Sequence, residues 1–254
     1  MILDAFKLDG QVALVTGGGT GLGQGMAIAL AEAGADIAVL YRTHYEATGR
    51  TIEALGRAFL PVQLDLASAT VEQLRAAVQQ VIDHFGHLDI LVNCAGITHR
   101  APALEYSEEA WDEVLRVNLK AAFFLAQAAA RHFRERGRGK IINIGSMLSF
   151  QGGILNTAYT SSKSGLMGLT RLLANEWAPL GINVNCIIPG YMDTALCAPL
   201  KADPQRNRAI LDRIPANRWG TPEDLQGAVV YLASRASDYV HGAALFVDGG
   251  WFAR

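Results

Sequence analysis

Gln11-Val12-Ala13-Leu14-Val15-Thr16-Gly17-Gly18-Gly19-Thr20-Gly21-Leu22-Gly23 is the segment on which the architecture turns. Gln11–Val15 is an apolar run too short for a helix, and it leads into a glycine-rich turn. Beyond the turn, Met26, Leu30 and Ala33 fall on one side of a helical pattern. Strand, glycine turn and helix in this order suit a dinucleotide. Glycines let the backbone bend sharply and approach a pyrophosphate, and the helix N-terminus offers unpaired N–H groups and a positive dipole end. The spacing is Gly17-x-x-x-Gly21-x-Gly23 rather than the commoner Gly-x-Gly-x-x-Gly. A plain tight turn is the competing reading, and the flanking strand and helix favour the nucleotide.

Outward from this segment, apolar runs of strand length recur at Asp36–Tyr41, Leu60–Leu64, Asp89–Asn93, Lys140–Ile144, Asn183–Ile187 and Ala244–Val247. Helical patterns lie between them, near residues 45–57, 70–85, 108–135, 157–179 and 222–234. Runs that are apolar without alternation belong to strands covered on both faces. Repeated β-α-β units predict a doubly wound parallel sheet with right-handed crossovers. Thr221-Pro222-Glu223-Asp224 reads as a helix start, with an N-cap, a proline at the first helical position and acids facing the dipole. No low-complexity linker divides the chain, so one domain over residues 1–254 is the economical reading. Residues 191–219 interrupt the alternation with prolines and charges, and such segments are often lids.

Composition narrows the function classes. Half of the 254 residues are hydrophobic, yet no apolar run approaches the ~20 residues that span a bilayer. Met1-Ile2-Leu3-Asp4-Ala5-Phe6-Lys7 lacks the pattern of a signal peptide. A net charge of −2 gives no footing for a nucleic-acid or membrane partner. Cys94, Cys186 and Cys197 are too few and too scattered for a disulfide frame or a zinc site, which fits a reducing cytoplasm and no metal.

Chemistry enters with Ala158-Tyr159-Thr160-Ser161-Ser162-Lys163 and, upstream, Ser146. Residues four apart on a helix share a face, so the phenol and the ammonium point the same way. A tyrosine holds its proton until pH ~10. A lysine charge about 4 Å away, at an effective dielectric of about 20, is worth ~4 kcal/mol. That predicts a tyrosine lowered by roughly three pKa units, fit for proton transfer near neutrality. An ordinary amphipathic helix is the bland alternative. Ligands of doubly wound sheets bind beyond the carboxyl ends of the strands. That edge carries Asp65, Asn93-Cys94-Ala95-Gly96, Gly145-Ser146 and Pro189-Gly190. Ser146 there is suited to donate to a substrate carbonyl while the phenol supplies the proton.

Thr16-Gly17-x-x-x-Gly21-x-Gly23, Asn93-Cys94-Ala95-Gly96, Asn118, Ser146, Tyr159-x-x-x-Lys163 and Pro189-Gly190 together resemble the short-chain dehydrogenase/reductase family, in order and spacing and over essentially the whole chain. The resemblance implies an α/β fold, a Rossmann-type three-layer sandwich with a doubly wound, seven-stranded parallel sheet, binding NAD or NADP. It implies that Tyr159 is the general acid/base, that Lys163 lowers its pKa and holds the nicotinamide ribose, and that Ser146 orients the substrate oxygen. Asn118 would support a water linking Lys163 to solvent. Cofactor contacts are implied for Gly17, Gly19, Thr20, Gly21, Leu22 and Gly23. They are also implied for Asp65, Leu66, Asn93, Ala95 and Gly96, and for Pro189, Gly190, Met192 and Thr194. Cys94 stands where the family usually has a second asparagine, a mainly structural position.

A narrower likeness, to sugar-acid dehydrogenases of the 2-dehydro-3-deoxy-D-gluconate type, rests on the opening Met1-Ile2-Leu3, on Ile210-Leu211-Asp212-Arg213-Ile214-Pro215-Ala216 and on three further segments. These are Gly21-Leu22-Gly23-Gln24-Gly25-Met26, the run Ser146–Gly153 and the ending Val247–Arg254. It implies reversible hydride transfer at a keto or hydroxyl carbon of a deoxy sugar acid. His99, Arg100, Arg213 and Arg218 are candidates for the substrate carboxylate; Ser149, Gln151, Tyr191, Met192 and Trp219 are candidates for the pocket wall. Leu40-Tyr41-Arg42-Thr43-His44 ends the second strand without the acid that binds a ribose 2′-hydroxyl, and Arg42 is placed to meet a 2′-phosphate. This favours NADP or dual use over NAD alone, although the relatives are mainly known as NAD users. Two other readings stand beside this one: a 3-oxoacyl-(acyl-carrier-protein) reductase, with Arg131, Arg134, Arg136, Arg138 and Lys140 meeting an acidic carrier, and a non-catalytic nicotinamide-binding module. The resemblance also implies a homotetramer, in which Arg254 is a candidate to reach a neighbouring active site.

Overall fold

The computed structural model describes residues 1–254. Its strands are β1 (Val12–Thr16), β2 (Asp36–Tyr41), β3 (Phe59–Gln63), β4 (Ile90–Asn93), β5 (Gly139–Ile144), β6 (Ile182–Pro189) and β7 (Ala244–Val247). All neighbours pair in parallel, in the order β3-β2-β1-β4-β5-β6-β7. This is the doubly wound sheet expected from the sequence, with strand ends shifted by a residue or two. The helices are α1 (Gly21–Glu32), α2 (Glu46–Ala54), α3 (Val71–Phe85), α4 (Glu108–Leu115), α5 (Ala122–Arg136), α6 (Thr157–Trp177), α7 (Ala198–Ala202), α8 (Pro204–Arg213) and α9 (Gln226–Ala233). No helix is long and apolar enough to cross a membrane.

The apolar strands feed two cores, which is why they do not alternate in polarity. Successive residues point to opposite faces. Leu14, Leu40, Leu91 and Ile141 pack with Leu74 and Val78 of α3 and Leu125 and Phe133 of α5. Val15, Val39, Ile90 and Ile142 pack with Met26 and Leu30 of α1, Ile52 of α2 and Leu232 of α9. Each fully buried large aliphatic side chain contributes roughly 1.5–3 kcal/mol. Helix ends follow local chemistry: Thr70 and Gln73 form a reciprocal capping box at α3 (3.2 and 2.9 Å), and Gly86 closes it at φ 80°.

Three segments depart from the sequence reading. The helix expected over 108–135 is broken into α4, a π-helical stretch at Arg116–Ala121 and α5. The π stretch carries Asn118, whose side chain bonds three groups across the wide turn. The helix expected from Pro222 begins as a 3₁₀ turn, Pro222–Leu225, before α9. Residues 191–219, read as irregular, contain α7 and α8; Asp203 caps α8 by accepting from Gln205 N (3.0 Å) and Arg206 N (3.1 Å).

Candidate active site

The strand order reverses between β1 and β4, and the connections leaving their carboxyl ends go to opposite faces of the sheet. A cavity of 1440 Å³ opens there and runs to residues 191–219. Single small-ligand sites are typically ~300–1,000 Å³, so this cleft has room for a dinucleotide and a substrate together.

At one end lie Gly17, Gly19, Thr20, Gly21, Leu22 and Gly23. Gly21 has φ +55°, and a Cβ there would stand free of all but the Thr194 methyl at 4.0 Å, projecting into space a ligand can use. At Gly23 a Cβ would collide with the Gly17 carbonyl, so only glycine lets α1 start this close to the turn. Two threonines to which the sequence reading gave no role fix the loop. Thr16 Oγ1 accepts from Cys94 N and Ala95 N (both 3.0 Å), tying the β1 and β4 turns together. Thr48 on α2 shares its hydroxyl proton between the carbonyls of Gly18 (3.1 Å) and Gly19 (3.2 Å). Thr16 precedes the first glycine and was open to suspicion; nothing near Thr48 signalled its role.

Arg42, Thr43 and His44 line the cleft beyond β2, and Asp65 and Leu66 line it beyond β3. Ala95, Gly96, Pro189, Gly190, Met192 and Thr194 border it from the far side. Asn93 does not reach the cleft. Its amide donates to Asn143 Oδ1 (2.9 Å) and the Ala122 carbonyl (3.2 Å), pinning β4 to its neighbours.

Ser146, Tyr159 and Lys163 meet in the middle of the cleft. The Ser146 hydroxyl is within hydrogen-bonding reach of the Tyr159 phenol, and its oxygen accepts from Leu148 N (3.2 Å). Lys163 Nζ sits 5.7 Å from the Tyr159 ring centre and donates to the Ile144 carbonyl (2.7 Å). Asn118 lies behind them: its amide donates to the Ile97 carbonyl (2.9 Å) and Ser162 Oγ (3.1 Å), and its oxygen accepts from Ile97 N (2.9 Å). It does not line the cleft itself. Single π turns are frequent at functional sites, and this one aims Asn118 at the loop after β4.

The expected lowering of the Tyr159 pKa is overturned in the free chain. Burial pushes the phenol up to about 12, against the pull of its bond with Ser146. Burial likewise pushes the Lys163 ammonium down. The Lys163 ammonium spends its short hydrogen bond on the Ile144 carbonyl, and burial of the phenol disfavours its charged form. Burial also pushes the Cys94 thiol up to about 12, so it is no thiolate nucleophile.

Several pocket candidates are placed elsewhere. Ser149 is not a cleft residue: its hydroxyl donates to the Lys163 carbonyl (2.8 Å) and accepts from Ser146 N (3.2 Å), bracing Ser146 against α6. Trp219 is buried behind the cleft, its indole donating to Asn207 Oδ1 (2.8 Å). Arg218 makes a bidentate pair with Asp224 (2.7 Å to each oxygen), and His99 pairs with Glu113 (2.7 Å). Arg100, Arg213, Gln151 and Tyr191 do line the cleft, joined by Arg206 and Trp251, which the sequence reading passed over. Of the basic cluster, Arg136 and Arg138 pair with the buried Asp89 (3.0 and 3.3 Å) and Lys140 with Asp238 (2.7 Å), at the end of β5 remote from the cleft. Arg254 donates to the Asp212 carbonyl of its own α8 (3.2 Å).

Comparison with known proteins bears on the same cleft. A family model described as enoyl-(acyl carrier protein) reductase matches residues 17–252. The 2-dehydro-3-deoxy-D-gluconate 5-dehydrogenase of Escherichia coli (strain K12) is 56% identical over 255 residues, covering 100% of both chains. A crystal structure from Agrobacterium tumefaciens, described as a 2-deoxy-D-gluconate 3-dehydrogenase with bound NADP, superimposes with a TM-score of 0.92 at 51% identity, over 99% of this chain and 100% of that one. A gluconate 5-dehydrogenase from Burkholderia cenocepacia J2315, in complex with NADP and tartrate, gives a TM-score of 0.94 at 41% identity over 100% of both chains.

Proposed function

The chain belongs to the short-chain dehydrogenase/reductase family, and within it we propose that the protein transfers hydride reversibly between NAD(P) and the C5 position of 2-dehydro-3-deoxy-D-gluconate or a close deoxy sugar acid. The full-length likeness to the E. coli enzyme of that activity carries the reading. The constellation of Ser146, Tyr159 and Lys163 in one cleft supports it.

The nicotinamide, when bound, supplies or accepts the hydride. The protein manages the proton and the oxygen. In the reducing direction, Ser146 donates a hydrogen bond to the carbonyl oxygen and Tyr159 delivers the proton to it as the carbon gains hydride. Lys163, whose charge lies 5.7 Å from the ring centre, is the cation nearest the phenolate left behind and offsets its charge once the proton has gone to substrate. A phenol held near 12 keeps its proton at neutral pH, so the free chain is set to donate. Asn118 and Ser149 act as positioning residues, through the Ile97 loop and through Ser146 and Lys163. Arg100 stands at the substrate end, and residues 191–219 serve as its lid.

Arg42, without an acid beside it at the end of β2, supports NADP or dual cofactor use. A cytoplasmic homotetramer accords with two surface features: every residue of β7, the edge strand, is only half-buried, and Leu172 and Phe252 stand 50% and 40% exposed. The deciding experiment compares reduction of the 5-keto sugar acid with that of an acetoacetyl thioester, using NADH and NADPH separately. Selective turnover of the sugar acid, better with NADPH, is the expected result. Preference for the thioester would move the enzyme to acyl-chain chemistry, and preference for NADH would strip Arg42 of its role.

A further inference from the structure

Four arginines lie between Tyr191 and Trp219, and they sort by what they face. Arg208 pairs with Asp212 one turn along α8 (2.9 Å), and Arg218 pairs with Asp224 (2.7 Å). Neither lines the cleft. Arg206 and Arg213 both line it, and neither has a carboxylate within ion-pair distance. Arg100, from the loop after β4, lines the same cleft and is equally free of acids. Tyr191 lines the same cleft as these three arginines; burial pushes its phenol up, and the charges of Arg206, Arg213 and Arg100 pull it back.

The site is held in place from below. The Arg213 guanidinium lies 4.1 Å over the Trp251 ring. Trp251 donates its indole N–H to Gln151 Oε1 (3.3 Å) and packs edge-on against Tyr191, with ring centres 4.8 Å apart. The acids nearest this end of the cleft are engaged: Asp203 accepts from the first N–H groups of α8, and Glu113 from His99. Three planar cations that line one cleft and have no carboxylate partner of their own suit a carboxylate ligand.

We propose that Arg206 and Arg213, with Arg100, bind the carboxylate of the substrate, so that α8 selects an anionic keto acid over a neutral ketone. This rests on the sugar-acid reading above and adds the residues that read the acid. Arg208, paired outside, takes no part.

The test measures kcat and KM for the 5-keto acid and for its uncharged C1 amide, at saturating NADPH, in wild type, Arg206→Met, Arg213→Met, Arg206→Lys and Arg208→Met. Losing a charge-assisted hydrogen bond should raise KM for the acid roughly tenfold to hundredfold in each cleft variant, with kcat held within about twofold. The NADPH dissociation constant should not move, and Arg206→Lys should recover part of the loss. The amide should be poor for wild type and indifferent to the substitutions, and Arg208→Met should match wild type. Arg206→Met serves as the safeguard against misfolding, since only Arg213 packs on Trp251. Equal losses on acid and amide, or unchanged KM for the acid in both methionine variants, would overturn the proposal while leaving the sugar-acid reading standing. A wild type that ignores the acid and reduces an acetoacetyl thioester would overturn both.

Discussion

At Tyr159 the chain sets two physical effects against each other. Desolvation of the phenolate outweighs the hydrogen bond from Ser146, and the neighbouring ammonium is committed to the Ile144 carbonyl. The protonated form is the proton donor, so reduction should be flat across neutral pH and decline only as pH climbs towards the phenol's value of about 12. Replacing Tyr159 by Phe keeps the ring's packing and removes the proton. The turnover number should fall by roughly 10²–10⁴ with NADPH affinity retained, as cofactor fluorescence titration can read. A Tyr159→Phe enzyme with near-normal turnover would sink the assignment and revive the reading as a non-catalytic nicotinamide-binding module.

Among the elements, the junction before α9 shows how one carboxylate serves three partners. Asp224 accepts both Arg218 guanidinium nitrogens and Thr221 N (2.8 Å), tying the end of the 191–219 segment to the Pro222–Leu225 turn. Arg218 is the main reason its carboxyl is held at about 2, below the usual 3.8. A depressed carboxyl contributes its full stabilisation above the unfolded value and loses it as pH falls through the folded one. Asp224→Asn should therefore cost about 1–2 kcal/mol near neutrality, or roughly 2–6 °C in Tm. The deficit should shrink below pH ~4 and vanish below about 2. Thermal melts of both proteins against pH would show it; a deficit that stayed constant into acid would argue for a packing effect instead.

At the scale of the whole molecule, the sheet ends in an exposed edge. β7 has a neighbour on one side only, and unpaired edges are usually covered or blunted. Phe246 and Phe252 stack at 4.9 Å beside Phe150, an aromatic surface continuous with that edge. Light scattering at micromolar concentration should give a mass near four copies of the 27.3 kDa chain, about 109 kDa. A 27.3 kDa species would sink the tetramer and leave the cleft chemistry untouched.

Strand and helix order, burial of both sheet faces, and the gathering of Gly21, Ser146 and Tyr159 at one sheet edge were all legible in the linear chain. Each depends on local periodicity or on the rule that doubly wound sheets bind ligands at their carboxyl ends. The π turn at Asn118 was hidden because its reward, three hydrogen bonds to Ile97 and Ser162, comes from residues 21 and 44 positions away. Ser149 looked like a pocket residue until the fold gave its hydroxyl two backbone partners. Arg206, Arg208 and Arg213 of α8 carry the same side chain within eight residues of one another. Only the packed structure decides which meet a carboxylate and which face the cleft, since charge pairing depends on distance in space and on burial. The sequence by itself determined the fold and brought the candidate groups Ser146, Tyr159 and Lys163 to one sheet edge; the tertiary structure decided their burial and their partners, because solvation and Coulomb energies exist only once the chain has closed around them.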